Sequence, residues 1–142
     1  MNTRRFYLTA AFVLFIAGNL YSQNGWGPGS NYNRLYDTKT VEMVSGTVMS
    51  VDQTSTENNM SAGVHLLLNT GNGNVTVHLG PSWYIDNQDV VISKDDNISV
   101  TGSKVTYKGD QIIIAKEVTK GDQILKLRDD NGYPLWSGWR NK

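Results

Sequence analysis

The sequence contains no cysteine. That absence excludes disulfide bonds, thiolate metal sites, cysteine nucleophiles and covalently attached c-type haem. It also excludes the lipid anchor of a bacterial lipoprotein, which is carried on a cysteine side chain.

The chain also has no net charge, because 13 Lys and Arg residues balance 13 Asp and Glu residues over its 142 positions. A balanced chain argues against a protein that binds nucleic acid mainly through the phosphate backbone. The length suits one domain of ordinary size. An apolar content of 39% is enough for a packed core, so a mainly disordered chain is excluded.

The apolar run at residues 6–17 is too short for a comfortable membrane span, which needs about 20 apolar residues. Arg4 and Arg5 precede it, and together they predict an export signal over residues 1–22, cleaved near Ser22. An uncleaved helical anchor is the alternative, and the paired arginines partly resemble a twin-arginine signal. We expect a periplasmic or secreted bacterial protein with no stable membrane span after cleavage.

Composition divides the remainder of the chain into three parts. Residues 23–39 are rich in Gly and Asn and predict a linker, although Trp26, Tyr32 and Tyr36 could dock it against the body. Residues 40–128 carry the strand patterns. Residues 129–142 form an aromatic C-terminal tail.

Alternation of apolar and polar residues predicts five strands, with a possible sixth at residues 124–128. Gly46 interrupts the first strand and predicts a bend that lets this strand serve both halves of a barrel. Pro81 opens a segment without alternation, which predicts a short helix. The five predicted strands span residues 40–52, 63–69, 74–80, 97–107 and 111–119.

The second and third strands flank a Thr-Gly-Asn-Gly turn at residues 70–73, whose glycines and asparagine tolerate positive φ. A four-residue loop pairs Asn69 with Asn74 and sorts the apolar side chains onto one face. A slip of one residue would break that sorting. The register therefore predicts six pairs: Asn69–Asn74, Leu68–Val75, Leu67–Thr76, Leu66–Val77, His65–His78 and Val64–Leu79.

Three strands, a short helix and two further strands follow the order of the OB fold. The sequence therefore predicts an all-β protein, a small five-stranded OB-type Greek-key barrel with one short helix between the third and fourth strands. Another small antiparallel barrel or sandwich is the alternative.

The two histidines of the chain, His65 and His78, are predicted to lie side by side on the outer face of the hairpin. Two imidazoles at that spacing can share Zn²⁺ or Cu²⁺, clamp an anion when protonated, or contact a planar ligand. Glu42, Asp86 or Asp89 are the carboxylates that could complete a metal site, although nothing in the sequence places them there. A half-exposed cross-strand pair covered by the aromatic tail, with no ligand, is the alternative.

Aromatic residues form the second candidate site. Trp83 and Tyr84 follow the His78 strand directly, and Trp136 lies in the tail. Such rings can stack on a ligand or dock a partner, and they can equally close the open end of a barrel.

Charges of both signs are interspersed along the chain, which is typical of a solvated surface. No nucleophile, base and orienting group can be assembled from the pattern, and no phosphate-binding loop is present. We therefore expect no catalytic residues and no enzyme activity.

Several short motifs together resemble the MamS/MamX family of magnetosome-associated bacterial proteins. They include residues 32–37, 63–66, 77–81, 83–84, 100–103 and 136–139. The resemblance covers nearly all of the chain after the signal, and it implies an exported OB-type domain in redox or metal-related envelope biology. Relatives of the MamX type carry haem motifs, but this chain lacks the cysteines for them.

We therefore expect an exported, non-catalytic OB-type binding or accessory module. Its His65/His78 face would bind a metal, a small ligand or an envelope protein partner, with no haem and no certain cofactor. A single-stranded nucleic-acid-binding OB domain is the alternative.

Overall fold

The computed structural model of the protein describes residues 25–55 and 60–138. The predicted export signal at residues 1–22 and the end of the tail from residue 139 onward lie outside these ranges. Within them, no helix combines the length and the apolar character needed to cross a membrane.

The described part of the chain is mostly β-structure, as predicted, and its one α-helix is a four-residue helix between the third and fourth strands. The sheet has six strands, one more than the five predicted, because the segment considered as a possible sixth strand pairs with the fifth. Three short 3-10 turns lie at Asn33–Leu35, Thr38–Thr40 and Leu135–Gly138. The elements are β1 (Val41–Thr54), β2 (Gly63–Asn69), β3 (Asn74–Pro81), α1 (Ser82–Ile85), β4 (Asn97–Tyr107), β5 (Asp110–Lys120) and β6 (Gln123–Lys126).

Strand β1 has two different neighbours along its length. Its first half pairs antiparallel with β4 up to Thr47, and its second half pairs antiparallel with β2 from Thr47 onward. Gly46 lies at this changeover, where a Cβ atom would come within 2.1 Å of the Asn69 carbonyl oxygen. The first strand thus changes neighbour at Gly46, and close backbone approach is the reason for a glycine there; the bend and the barrel stay predictions.

The strands follow the order β3-β2-β1-β4-β5-β6, and β3 pairs additionally with β5 in parallel. Strands β1, β2, β3, β5 and β4 are therefore joined edge to edge in a closed cycle, and β6 extends β5 outside it. The inward side chains of this cycle form the apolar core, which includes Val48, Leu66, Leu68, Val77, Val100 and Val118.

The predicted register of the β2–β3 hairpin is confirmed for the five pairs from Asn69–Asn74 to His65–His78. The sixth predicted pair is wrong, because Val64 pairs with Gly80 rather than with Leu79. A bulge in β3 inserts Leu79 as an extra residue. Gly80 follows it with a φ of 151°, a conformation that L-residues with a side chain rarely adopt.

Candidate functional site

His65 and His78 lie next to each other because β2 and β3 pair them directly. Their imidazole rings are stacked, with centroids 4.0 Å apart and planes inclined by 12°. The predicted adjacency is thus confirmed. His78 is buried rather than half-exposed, since only 4% of its surface is accessible to solvent.

The N-terminal segment covers His78. The Tyr32 hydroxyl lies 2.8 Å from His78 Nδ1, and the two rings are nearly parallel with centroids 5.9 Å apart. Tyr107 meets His78 edge-on from strand β4. His78 is therefore held between His65 on one side and Tyr32 on the other.

Both imidazoles are uncharged near neutral pH. Burial, with a smaller contribution from the neighbouring His65, lowers the pKa of His78 to about 3. Burial also lowers the pKa of His65, although the Asp52 carboxylate opposes that shift. Burial raises the pKa of Tyr32, so its hydroxyl keeps its proton and the Tyr32–His78 hydrogen bond joins two neutral groups.

The stacked rings are poorly arranged to hold one metal ion together. An imidazole nitrogen offers its lone pair in the plane of the ring, so the lone pairs of two parallel rings do not converge on one point. Chelation by both residues would require one ring to turn. The described residues also contain no group of three or more His, Cys, Asp or Glu side chains that could hold an ion, so Glu42, Asp86 and Asp89 do not complete a site here.

A groove of about 440 Å³ borders the histidine pair. One wall is the outer face of β2 and β3, and the other is the β4–β5 hairpin. We call it the hairpin groove. The side chains that line it include His65, His78, Asn74, Thr76, Tyr107, Lys108, Asp110 and Gln111. Of these, the sequence predicted only the two histidines as site residues.

Trp83, Tyr84 and Trp136, the predicted aromatic site residues, lie in packed positions and do not line the hairpin groove. Trp136 is fully buried, and the Tyr84 ring packs against it at 5.7 Å between centroids. Trp83 is half-buried against the core. The structure thus separates these three rings from the histidine pair.

Trp136 instead joins the two ends of the described chain. Its indole Nε1 donates to the Trp26 carbonyl oxygen at 2.8 Å, and the two indoles meet at an angle of 84°. Asn33 Nδ2 donates to the same carbonyl. We call the packed pair of segments, residues 25–36 and 127–138, the terminal clasp.

Arg128 lies inside the terminal clasp with 3% of its surface exposed. Its guanidinium donates to Asn33 Oδ1 at 2.6 Å and to the Gly132 carbonyl oxygen at 3.0 Å, and it lies over the rings of Tyr36 and Trp136. Burial lowers its pKa to about 10, so it remains protonated near neutral pH. Among the described residues no carboxylate pairs with it, so these hydrogen bonds and rings are what compensate the buried charge.

The hairpin beside the groove has a counterpart elsewhere in the chain. The pentapeptide Lys-Gly-Asp-Gln-Ile occurs at residues 108–112 and again at residues 120–124. The first copy forms the β4–β5 turn, and the second forms the β5–β6 turn. Only the first copy contributes to the hairpin groove.

Comparison with known protein families matches residues 40–125 to the MamS/MamX magnetosome protein family. The match runs from the residue before β1 to the third residue of β6, which is more than half of the chain. The curated proteins contain no match to the sequence.

Proposed function

Since the chain belongs to the MamS/MamX magnetosome protein family, we propose that it is an exported, non-catalytic binding module of the OB type. The proposed localisation, periplasmic or secreted, rests on the predicted export signal at residues 1–22. Its partners would then be an envelope protein or a small ligand of that compartment.

The strand order supports an OB-type barrel. The cycle β1, β2, β3, β5, β4 is joined by a parallel β3–β5 contact, and α1 lies between β3 and β4. In OB barrels, ligands bind at the face of the second and third strands and at the loops beside it, including the loop between the fourth and fifth strands.

The position of the hairpin groove is the observation that carries the proposal. Its two walls are the β2–β3 face and the β4–β5 turn, which are the elements that OB barrels use for binding. Its volume of about 440 Å³ also falls within the range of roughly 300–1,000 Å³ that is usual for ligand pockets.

The chemistry of the histidines supports binding rather than catalysis. A general base works best when its pKa lies near the operating pH. His78, with a pKa of about 3, is a weak base at neutral pH, and its Nδ1 already faces the Tyr32 hydroxyl. The pair is better suited to form a rigid, uncharged wall of the groove.

Chemical-shift mapping on the isotope-labelled protein tests the proposal. The probes are a fragment library with neutral, anionic and cationic members and, separately, a short oligothymidine. We expect shift changes to concentrate at residues 65, 74–78 and 107–112. Changes spread over the surface, or concentrated elsewhere, would contradict the binding module.

A metal titration tests the version of this proposal in which the histidines hold an ion. Calorimetry with Zn²⁺ and Cu²⁺ would compare the wild type with His65→Ala, with His78→Ala and with the double variant. Equal binding by the wild type and the double variant would remove the metal version, whereas binding that needs both imidazoles would support it. The single-stranded nucleic-acid alternative predicts salt-dependent oligothymidine binding in the groove.

A further inference from the structure

We infer that the hairpin groove takes a neutral oligosaccharide. The inference rests on the proposed binding function and specifies the chemical class of its ligand. It is carried by the charge balance of the groove, by its hydrogen-bonding side chains and by the rings that form its wall.

The charges of the side chains that line the groove sum to zero. Lys108 and Asp110 carry opposite signs, and the two histidines are neutral. A groove that binds a nucleic-acid strand normally follows the phosphate backbone with excess positive charge. A ligand without net charge fits this groove better than a polyanion does.

The remaining polar groups suit a ligand rich in hydroxyls. Asn74 and Gln111 each offer an amide that both donates and accepts, Thr76 offers a hydroxyl, and Asp110 offers two acceptor oxygens. A sugar hydroxyl likewise donates and accepts at the same time. Neighbouring hydroxyls on one ring can therefore be satisfied together by such a set.

His65 and Tyr107, both half-buried, supply uncharged ring surfaces beside these polar groups, while the buried His78 backs the His65 ring. The faces of such rings attract the C–H side of a pyranose, which is its apolar side. Tyr32 holds His78 by a hydrogen bond from behind, so little side-chain freedom is lost when a ligand binds.

The groove is also placed where OB barrels are known to bind oligosaccharides as well as oligonucleotides, at the face of strands two and three. Of these two ligand classes, the balanced charge of Lys108 and Asp110 favours the oligosaccharide. The observations thus select one class from those that the proposed fold can accommodate.

The repeated pentapeptide supplies a matched control. Asp110 and Gln111 border the groove and lie in β5 directly after their turn, whereas Asp122 and Gln123 of the second copy lie one place earlier relative to the β5–β6 turn. All four residues are exposed. Substitution of either pair therefore changes the same residue types at an exposed hairpin, and only Asp110 and Gln111 border the groove.

The experiment titrates the purified protein with neutral oligosaccharides of several linkages, namely chito-, cello- and malto-oligosaccharides. Anionic oligogalacturonides and oligothymidine serve as charged counterparts. We expect at least one neutral series to bind with shift changes in the groove. Gln111→Ala and Asp110→Asn should each raise its dissociation constant roughly three- to tenfold, the range for loss of one hydrogen bond. Gln123→Ala and Asp122→Asn should leave it unchanged.

Three results would overturn the inference. One is tighter binding of a charged series than of every neutral series, and another is equal weakening by the two pairs of variants. The third is a groove that binds library fragments but none of the neutral series, which would refute the ligand class and leave the binding function intact. A groove that binds no fragment would instead refute the proposed function itself.

Discussion

His78 is a histidine kept uncharged by its neighbours. His65 stacks on one face, and His78 Nδ1, at the edge of the ring, lies 2.8 Å from the Tyr32 hydroxyl. A charge on His78 would be buried and would lie beside a second imidazole, and both effects lower its pKa. The unfolded chain lacks these neighbours, so folding and protonation of His78 oppose each other.

This opposition predicts a loss of stability in mild acid. In the unfolded chain His78 binds a proton below pH 6.5, whereas in the folded protein it does so only near pH 3. The contribution of neutral His78 to the free energy of unfolding is therefore fully present above pH 6.5, and it falls as the pH decreases toward 3. We expect His78 to account for a loss of about 2 kcal/mol in the free energy of unfolding between about pH 7.5 and about pH 5.

Urea denaturation of the wild type and of His78→Gln at both pH values measures this effect. Glutamine keeps a hydrogen-bonding group for Tyr32 but does not titrate. The variant should therefore lose less stability than the wild type on acidification. An identical pH dependence in the two proteins would show that His78 is not the group responsible.

At the scale of the element, the bulge in β3 connects the hairpin to the terminal clasp. Gly80, with a φ of 151°, faces the Trp136 ring so closely that a Cβ atom would lie 2.8 Å from it. The glycine is thus required both by the backbone conformation and by the indole. Hydrophobic alternation cannot reveal such a bulge, which is why the pair Val64–Leu79 was predicted wrongly while the five pairs nearer the turn were predicted correctly.

Gly80→Ala should therefore destabilise the protein and displace Trp136. Gly73→Ala is the matched control, because Gly73 also has a positive φ, 127°, but nothing lies within 4 Å of its Cβ position. We expect a cost of about 1 kcal/mol from backbone strain at Gly73, and about 2–4 kcal/mol at Gly80 where a steric clash is added. Urea denaturation measures the costs, and near-ultraviolet circular dichroism reports the tryptophan environment. Equal costs with unchanged spectra would contradict the contact.

At the scale of the whole molecule, the segment predicted as a linker takes part in the core. Trp26 is fully buried, its Nε1 donates to the Ser61 carbonyl oxygen, and its own carbonyl accepts from Trp136 and Asn33. The terminal clasp packs against the hairpin through Trp26 at Gly63 and Trp136 at Gly80, and Tyr32 contacts His78.

Trp26→Ala should lower the free energy of unfolding by about 3–5 kcal/mol, the usual cost of removing a buried tryptophan. Tyr133→Ala, at a 51% exposed aromatic residue of the same clasp, should cost less than about 1 kcal/mol. Chemical denaturation of both variants provides the measurement. Similar costs for the two would contradict the contribution of Trp26 to the core.

The sequence alone determined the features that depend on residues close together along the chain. Alternation located the strands, the chemistry of residues 70–73 set the turn, and the sorting of apolar side chains paired His65 with His78, which are only 13 residues apart. Tertiary structure decided what covers that pair and what lies beside it. The contacts Tyr32–His78, Asn33–Arg128 and Trp26–Trp136 span 46, 95 and 110 residues. Periodicity carries no information over such separations, because these contacts form only when the closed cycle of strands brings the two ends of the described chain together.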